Sequence, residues 1–600
     1  MRLKNLQPTW DLEPLFPGGS GSEAFKRFLE QLSADLKKFD VRTADLKVPT
    51  GADQAKGLAD VLTEAQNVSA RLHESSAFVS CLVAQNVNDR RAVRLRGTLR
   101  EMNAALATTL TTLDSKLAEI DDSVWELLLE KDGFREVAFA LREKRRRAVE
   151  KLSPETEALI NDLKVDGYEA WSGLYDLVVG KMNIEVDSDG KKETLSISQL
   201  DNRLADSDRE VRKQMFRKYT NAWEEAADLC AEALNHISGF RLNLYKHRGW
   251  HSVLQEPLDI NRMKAETLDA MWSAIDKQKD KYVAFFDRKA KLLGIDRLSW
   301  YDVNAPIASA QETVSYDEAA QFIVRHFERF SPDMAAFAEK ALADRWIEAE
   351  DRSGKRPGGF CTSFPVSGQT RVFMTFSGTK GNVATLAHEL GHAYHQHVMK
   401  RLPYWSQRYA MNVAETASTF AEAIVGDASV KTAESKTEKL ALLEEKVRRG
   451  VTFFTNLRAR FLFETRFYEE RKQGLVPVER LNELMVEAQR EAFGNALGEY
   501  HPTFWASKLH FYITGTPFYN FPYTFGFLFS NGIYARSLQE ETASFAEQYV
   551  HLLKDTGSMT VEDLAAKHLQ VDLTNDDFWD GAVRSVLNDI DEFLRLTDHE

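Results

Sequence analysis

Two histidines four positions apart with a glutamate between them, His388-Glu389-Leu390-Gly391-His392, are the residues of this chain best suited to chemistry. On a helix of 3.6 residues per turn, positions i and i+4 project from one face, one turn apart. Both imidazoles can then hold one small cation, and neutral imidazole suits Zn²⁺. Glu389 is rotated by about 100° from His388, beside such a cation rather than on it, where a general base for an activated water belongs. The surrounding run from Asn382 to Met399 is rich in apolar residues, as a buried helix would be, and Asn382 after Gly381 is the expected N-cap. The pattern predicts a zinc hydrolase.

Catalytic zinc usually takes three protein ligands and leaves one position for water. An extended metzincin pattern would need Gly at 395 and His at 398, but His395 and Val398 stand there. His395 and His397 remain candidates, although three ligands on successive turns of one straight helix converge poorly on a tetrahedral ion. The stretch Ala414-Glu415-Thr416-Ala417-Ser418-Thr419-Phe420-Ala421-Glu422 offers a better source. Glu415 and Glu422 lie two turns apart on one helical face. One can ligate while the other orients a ligand from behind.

The HELGHAYH segment and the later AETASTFAE segment resemble the oligoendopeptidase F branch of the thimet-oligopeptidase metallopeptidases. So do Thr9-Trp10-Asp11-Leu12, the lead-in from Lys355 to Phe364, and Arg371 to Phe376. The likeness runs from near residue 9 to past 540. It implies a mainly α, two-lobed body with a deep central channel and a small β-sheet next to the zinc helix. It also implies one zinc per chain on His388, His392 and Glu415, with Glu389 as the base, and short oligopeptides as substrates. The segment from His501 to Phe529 is dense in aromatics. Related peptidases place a His and tyrosines of this region over the substrate, so the resemblance carries His510, Tyr519 and Tyr523 over as catalytic residues. Tyr519 and Tyr523, four apart, would share a face if both lay on a helix. A His or Tyr donor suits the oxyanion that peptide hydrolysis builds. The spacing departs from the thimet type, with a longer loop between His510 and the tyrosines.

The elements that must hold these groups are mostly helical. Amphipathic periodicity covers residues 22–39, 52–73, 75–118 and 135–150, then 199–247 and 262–292. The alternation from Met182 to Ile197 around Asp189-Gly190 predicts a hairpin. It sets an expected border between an N-terminal helical domain, 1–181, and a catalytic domain, 182–600. Arg371 to Phe376 reads as a functional strand, with an edge beside the metal to which an extended peptide could add.

Composition narrows the classes. Hydrophobic content of 43% with 28% charged residues is ordinary for a globular protein. A net charge of −14 disfavours nucleic acid and anionic membrane. Only three cysteines occur, Cys81, Cys230 and Cys361, with no C-x-x-C, which suggests a reducing compartment and no Cys-zinc site. A nucleophilic role for Cys361 is unneeded once a metal site exists. The start lacks the apolar core of a signal peptide, and no run of about twenty apolar residues occurs. A cytoplasmic endopeptidase acting on short, unfolded peptides is the expected function. An exopeptidase on the same zinc chemistry, or a peptide-binding protein with structural zinc, is the alternative. Cleavage preference and oligomeric state leave no mark in the sequence.

Overall fold

The computed structural model describes residues 3–188, 191–307 and 313–598. Helices make up 71% of it and the sheets are small, so the expected mainly α class holds. Compactness divides the chain into two units, each built from three chain segments. The first comprises Met1–Lys151, Glu312–Ala428 and Arg536–Gln570, and the second Leu152–Gln311, Ser429–Ala535 and Val571–Glu600.

In the first unit, helices Glu23–Asp45, Ala55–Gln85, Arg90–Ala118 and Ala138–Val149 realise the amphipathic stretches. The break expected near 74 lies instead at Asn86–Asp89, where Asp89 caps the next helix by accepting from the Arg91 and Ala92 amides. Glu74 is not a solvated break residue. It is buried and accepts hydrogen bonds from the Val366 and Ser367 amides, tying this helix to the sheet turn. Phe16, Phe25 and Phe78 form an aromatic knot with centroids 4.9–5.0 Å apart.

Five strands are present among the described residues. β1 (Asn183–Ser188) and β2 (Lys191–Ser196) pair antiparallel in the second unit, as the alternation predicts; the turn residues Asp189 and Gly190 lie outside the described residues. In the first unit, β3 (Ile347–Glu348), β4 (Phe360–Phe364) and β5 (Gln369–Phe373) form a sheet of order β3-β5-β4. β5 runs parallel to β3 and antiparallel to β4, with Phe360 opposite Phe373. The strand expected over Arg371 to Phe376 is therefore central, not an edge. Its residues Thr370 to Phe373 are buried, and hydrogen bonding on both sides occupies its backbone. The edges are β3 and β4, and β4 is the one that lines the cleft of His388 and His392.

The N-terminal Trp10-Asp11 pair explains itself here. The Trp10 ring lies 5.7 Å from Phe373, and the buried Arg371 guanidinium donates twice to the Asp11 carbonyl, at 2.9 and 3.2 Å. That fixes β5, and through it β4, against the helix Lys380–Met399. This helix starts one turn earlier than expected. Thr379 is the N-cap, accepting from the Asn382 amide at 3.2 Å, while Asn382 reaches back to the Thr379 and Ser377 amides. Asn382 is thus the third residue of a capping box, and the sequence signal was right in kind but displaced by one turn.

In the second unit, the long helices Arg209–His247 and Lys436–Arg471 organise the core. Two of its buried cations are paired with carboxylates: Arg212 with Asp302 at 3.0 Å, and Lys289 with Glu444 at 2.6 Å. The pattern read over 262–292 resolves into two helices, Ala265–Asp276 and Lys279–Leu292.

Candidate metal centre and active-site cleft

His388, His392 and Glu415 come together in the first unit, with one ligand atom of each lying within 4.8 Å of the others. Glu415 stands on the helix Met411–Thr432. Its Oε2 is 3.3 Å from His388 Nε2 and 3.5 Å from His392 Nε2. Zinc ligands at 2.0–2.2 Å in tetrahedral array stand roughly 3.3–3.5 Å apart, so the spacing fits that ion.

The hydrogen bonding fits as well. His388 Nδ1 lies 3.1 Å from Glu422 Oε2. With the Nδ1–H donated there, the Nε2 lone pair faces the Glu415 oxygen, an opposition that a cation between them turns into ligation. Glu415 thus faces both imidazoles, while Glu422 meets the other ring nitrogen of His388. Ser418 donates to Glu415 Oε2 at 2.8 Å and fixes its rotamer. Burial drives His392 down to about 4 despite Glu415. For Glu415, burial raises the carboxyl but the two histidines and Ser418 outweigh it and bring it to about 2. At neutral pH these two groups are in the protonation states that metal ligation needs.

A glycine makes this convergence possible. A Cβ at position 391 would stand 2.6 Å from Ser418 Cα and 2.9 Å from the Ala417 carbonyl carbon. Only glycine lets the two helices meet with the ligand pair on one and Glu415 on the other. A mid-helix glycine costs about 1 kcal/mol relative to alanine, so its presence here is a packing requirement.

The cluster opens on a cleft of about 510 Å³, lined by Gly359 to Ser363 of β4 and its approach, by His388, Glu389 and His392, and by Tyr404, Gln407, Arg408 and Tyr409. Glu389 is 7% exposed, and its Oε2 has no hydrogen-bond partner among the described residues. Burial, reinforced by Glu415 and opposed by His388, lifts its carboxyl to about 7 in the metal-free protein. A buried carboxylate oxygen without a partner is uncommon in folded proteins, and this one belongs to a residue that lines the cleft. Gly359 leaves room for it: a side chain there would sit 3.4 Å from Glu389 Oε1 and 3.2 Å from the Phe373 carbonyl.

The rival ligands turn elsewhere. His395 stacks on Tyr409 at 4.3 Å and points Nε2 to Thr556 Oγ1 at 2.9 Å. His397 packs on Phe337 at 4.6 Å. Cys361 lines the cleft, but burial and the nearby Glu389 hold its thiol well above the usual range, so it stays protonated. Sequence reasoning missed Ser418, Tyr409 and the part played by Gly391. Only Gly391 carried a signal, as a glycine inside an otherwise helical pattern.

The other predicted residues form a second group, in the second unit. His510 and Tyr519 have centroids 5.3 Å apart, Tyr519 and Tyr523 5.8 Å, and His510 and Tyr523 6.2 Å. All three are half-buried, unlike the packed core aromatics around them. Tyr519 and Tyr523 do not lie on one helix: Tyr523 lies in Phe521–Ser537, Tyr519 in the turn before it. The loop between is tied down. Arg241, 2% exposed, donates to the Ile513 and Thr514 carbonyls at 2.6 and 3.2 Å, and Tyr168 donates to Thr514 at 2.8 Å. Tyr168 is set there by a π-helical turn, Val165–Glu169. At the far end Glu464 accepts from the Phe518 amide at 3.3 Å.

The sequence profile of peptidase family M3 matches residues 203–585, and that of the oligopeptidase F N-terminal region matches 116–183. Oligopeptidase PepF of Bacillus subtilis is 23% identical over 603 residues, 98% of this chain and 87% of the relative. Group B oligopeptidase PepB of Streptococcus agalactiae is 27% identical over 390 residues, 64% of this chain and 63% of the relative. The crystal structure of oligoendopeptidase-F from Enterococcus faecium superposes with a TM-score of 0.71 at 18% identity, covering 97% of this chain and 100% of that one. The chain belongs to peptidase family M3, in its oligoendopeptidase F branch, and is a metallopeptidase.

Replacing Gly391 tests the helix approach. Gly391→Ala should lower the melting temperature and weaken zinc affinity at least tenfold, measured by competition with a chromophoric chelator. Unchanged affinity would show that the ligands converge without this contact.

Proposed function

We propose that the chain is a zinc endopeptidase hydrolysing internal bonds of short, unfolded oligopeptides. The observation that carries it is the convergence of His388, His392 and Glu415 beside a buried, unpartnered Glu389 in one cleft. Zinc, when bound, supplies Lewis acidity at this point and makes water acidic enough to give up a proton near neutral pH. Glu389 takes that proton as the water attacks the scissile carbonyl and returns it to the leaving amine. Glu422 holds His388 in the tautomer that presents Nε2, and Ser418 holds Glu415. The free edge of β4 offers backbone groups to an extended peptide whatever its side chains, which favours an endopeptidase of broad specificity. His510, Tyr519 and Tyr523 supply hydrogen-bond donors for the carbonyl oxygen as it becomes anionic. Burial and the nearby Arg460 and Lys508 bring His510 down to about 4, so it acts as a neutral donor.

No helix among the described residues is long and apolar enough to cross a membrane. All three cysteines are free thiols, two of them buried. A cytoplasmic site of action, on peptides rather than nucleic acid or membrane, agrees with both and with the acidic charge.

The central test is hydrolysis of peptides blocked at both ends, with and without chelator. Cleavage that survives blocking and stops on chelation is expected; loss of cleavage on blocking would make the enzyme an exopeptidase.

Each chain should bind about one zinc, the capacity of a single three-ligand set. His388→Ala and His392→Ala should remove it, as read by elemental analysis. Glu389→Gln should retain zinc while hydrolysis falls by about 10²–10⁴-fold, whereas Glu415→Gln should lose zinc affinity. An exchange of these two phenotypes would reverse the assignment of ligand and base.

For the donors, at least one of His510→Ala, Tyr519→Phe and Tyr523→Phe should lower kcat by about 10²-fold with KM nearly unchanged. Wild-type turnover in all three would reduce the group to packing.

A further inference from the structure

Among the described residues of the second unit, two neighbouring cations have no carboxylate within ion-pair reach. Lys508 Nζ and the Arg460 guanidinium carbon lie 4.8 and 5.3 Å from the centroid of one ring, Phe504. Arg460 donates to Asn456 Oδ1 at 2.8 Å and to Asn520 Oδ1 at 3.0 Å, both neutral amides. Among the described residues no carboxylate oxygen lies within 4.0 Å of either cation. Asp201 acts on Lys508 only from farther away. Elsewhere in this unit Arg212 is matched by Asp302 and Lys289 by Glu444, while Arg241 spends its donors on two tyrosine hydroxyls and two carbonyls.

Holding like charges together in a partly desolvated place is costly. The cost shows in the ammonium of Lys508, which burial and Arg460 push down to about 8. Burial likewise lowers Arg460 to about 10. Both side chains remain half-buried rather than sealed, so an anion from outside can reach them. Their place is specific. Lys508 is two residues before His510, both cations act on the His510 imidazole, and Tyr523 acts on Arg460.

We propose that Lys508 and Arg460 form a carboxylate-binding subsite for the peptide substrate, beside the His510–Tyr519–Tyr523 group. The subsite rests on the reading of that group as facing substrate. The carboxylate can be the C-terminus of a short peptide or an acidic side chain, which share the same chemistry. A peptide held by its C-terminus is measured from that end, so such a subsite would bias an endopeptidase towards short substrates. Lys508 provides a point charge and Arg460 a planar fork already fixed by two asparagines, a combination suited to one carboxylate.

The test uses the zinc-loaded enzyme and one N-acetylated peptide in paired forms: C-terminal acid against amide, and Glu against Gln at a single side chain, followed by chromatography of the products. The wild type should favour one carboxylate form by about tenfold or more in kcat/KM, mostly through KM, as a charge-assisted hydrogen bond does. Lys508→Met should bring that ratio towards one. Lys508→Arg should keep most of it, and added salt should reduce it. A preference in the acid–amide pair assigns the C-terminus, and one in the Glu–Gln pair assigns a side chain. Equal rates in both pairs for the wild type, or a preference that survives Lys508→Met, would overturn the subsite. Absence of any cleavage by the wild type would instead overturn the peptidase reading beneath it.

Discussion

Two helices of the first unit touch backbone to backbone at Gly391, and the rest of the metal centre depends on that contact. The helix Lys380–Met399 presents His388 and His392 from one face, but a helix alone can offer only two well-placed ligands. The third must come from another element whose axis runs close enough for a short glutamate arm to reach both imidazoles. Gly391 faces Ala417 and Ser418, flanked by His388 and His392 on its own helix and by Glu415 on the other. The contact point and the His388–His392–Glu415 cluster are therefore one piece of geometry. The sheet completes it from the other side, since β5 is locked by Arg371 to the Asp11 carbonyl and carries β4 to the cleft.

Burial then distributes protons among chemically similar groups. Glu389 and Glu415 are both largely buried carboxylates in the same cleft, yet one is lifted to about 7 and the other held near 2. The difference lies in their partners. Glu415 has two imidazoles and a serine hydroxyl within reach, while Glu389 Oε2 has no partner among the described residues. A ligand must stay ionised and a base must exchange its proton near working pH, so opposite shifts suit opposite duties.

What the sequence revealed divides along the same lines. A motif whose members share one helix is legible because helical spacing is fixed, and so were the long amphipathic helices. That Glu415 faces both imidazoles while Glu422 meets His388 Nδ1 depends on the direction of each side chain across two helices, which spacing alone cannot supply. The N-cap was misplaced by one turn because Thr379 and Asn382 cap reciprocally and either residue alone satisfies the pattern. β5 looked like an available strand because its residues are β-prone, yet pairing on both sides is a property of β3 and β4, not of its own sequence. The interleaving of three segments in each compact unit likewise leaves no local signature.

The loop carrying His510 and Tyr519 shows the same logic where no motif marks it. Phe518 has φ of +51°, a left-handed conformation that a bulky aromatic residue adopts only under constraint, at a cost of roughly 1 kcal/mol or more. The constraint is visible. Its amide is held by Glu464, and its ring stacks on Tyr468 at 5.3 Å. Tyr468 in turn accepts from Arg241 at 2.8 Å, and Arg241 grips the carbonyls of Ile513 and Thr514 at the loop's other end. Burial lifts Glu464 to about 8, with the attraction of Arg241 and the Phe518 amide working against it. A carboxyl in so poor an environment, a fully committed arginine and a strained aromatic residue form one connected network. Its geometric outcome is that the chain turns sharply after Phe518, setting the Tyr519 ring 5.3 Å from His510 before the helix of Tyr523 begins. Strain at one residue, stabilised by three others, is what fixes the mutual placement of these half-buried side chains.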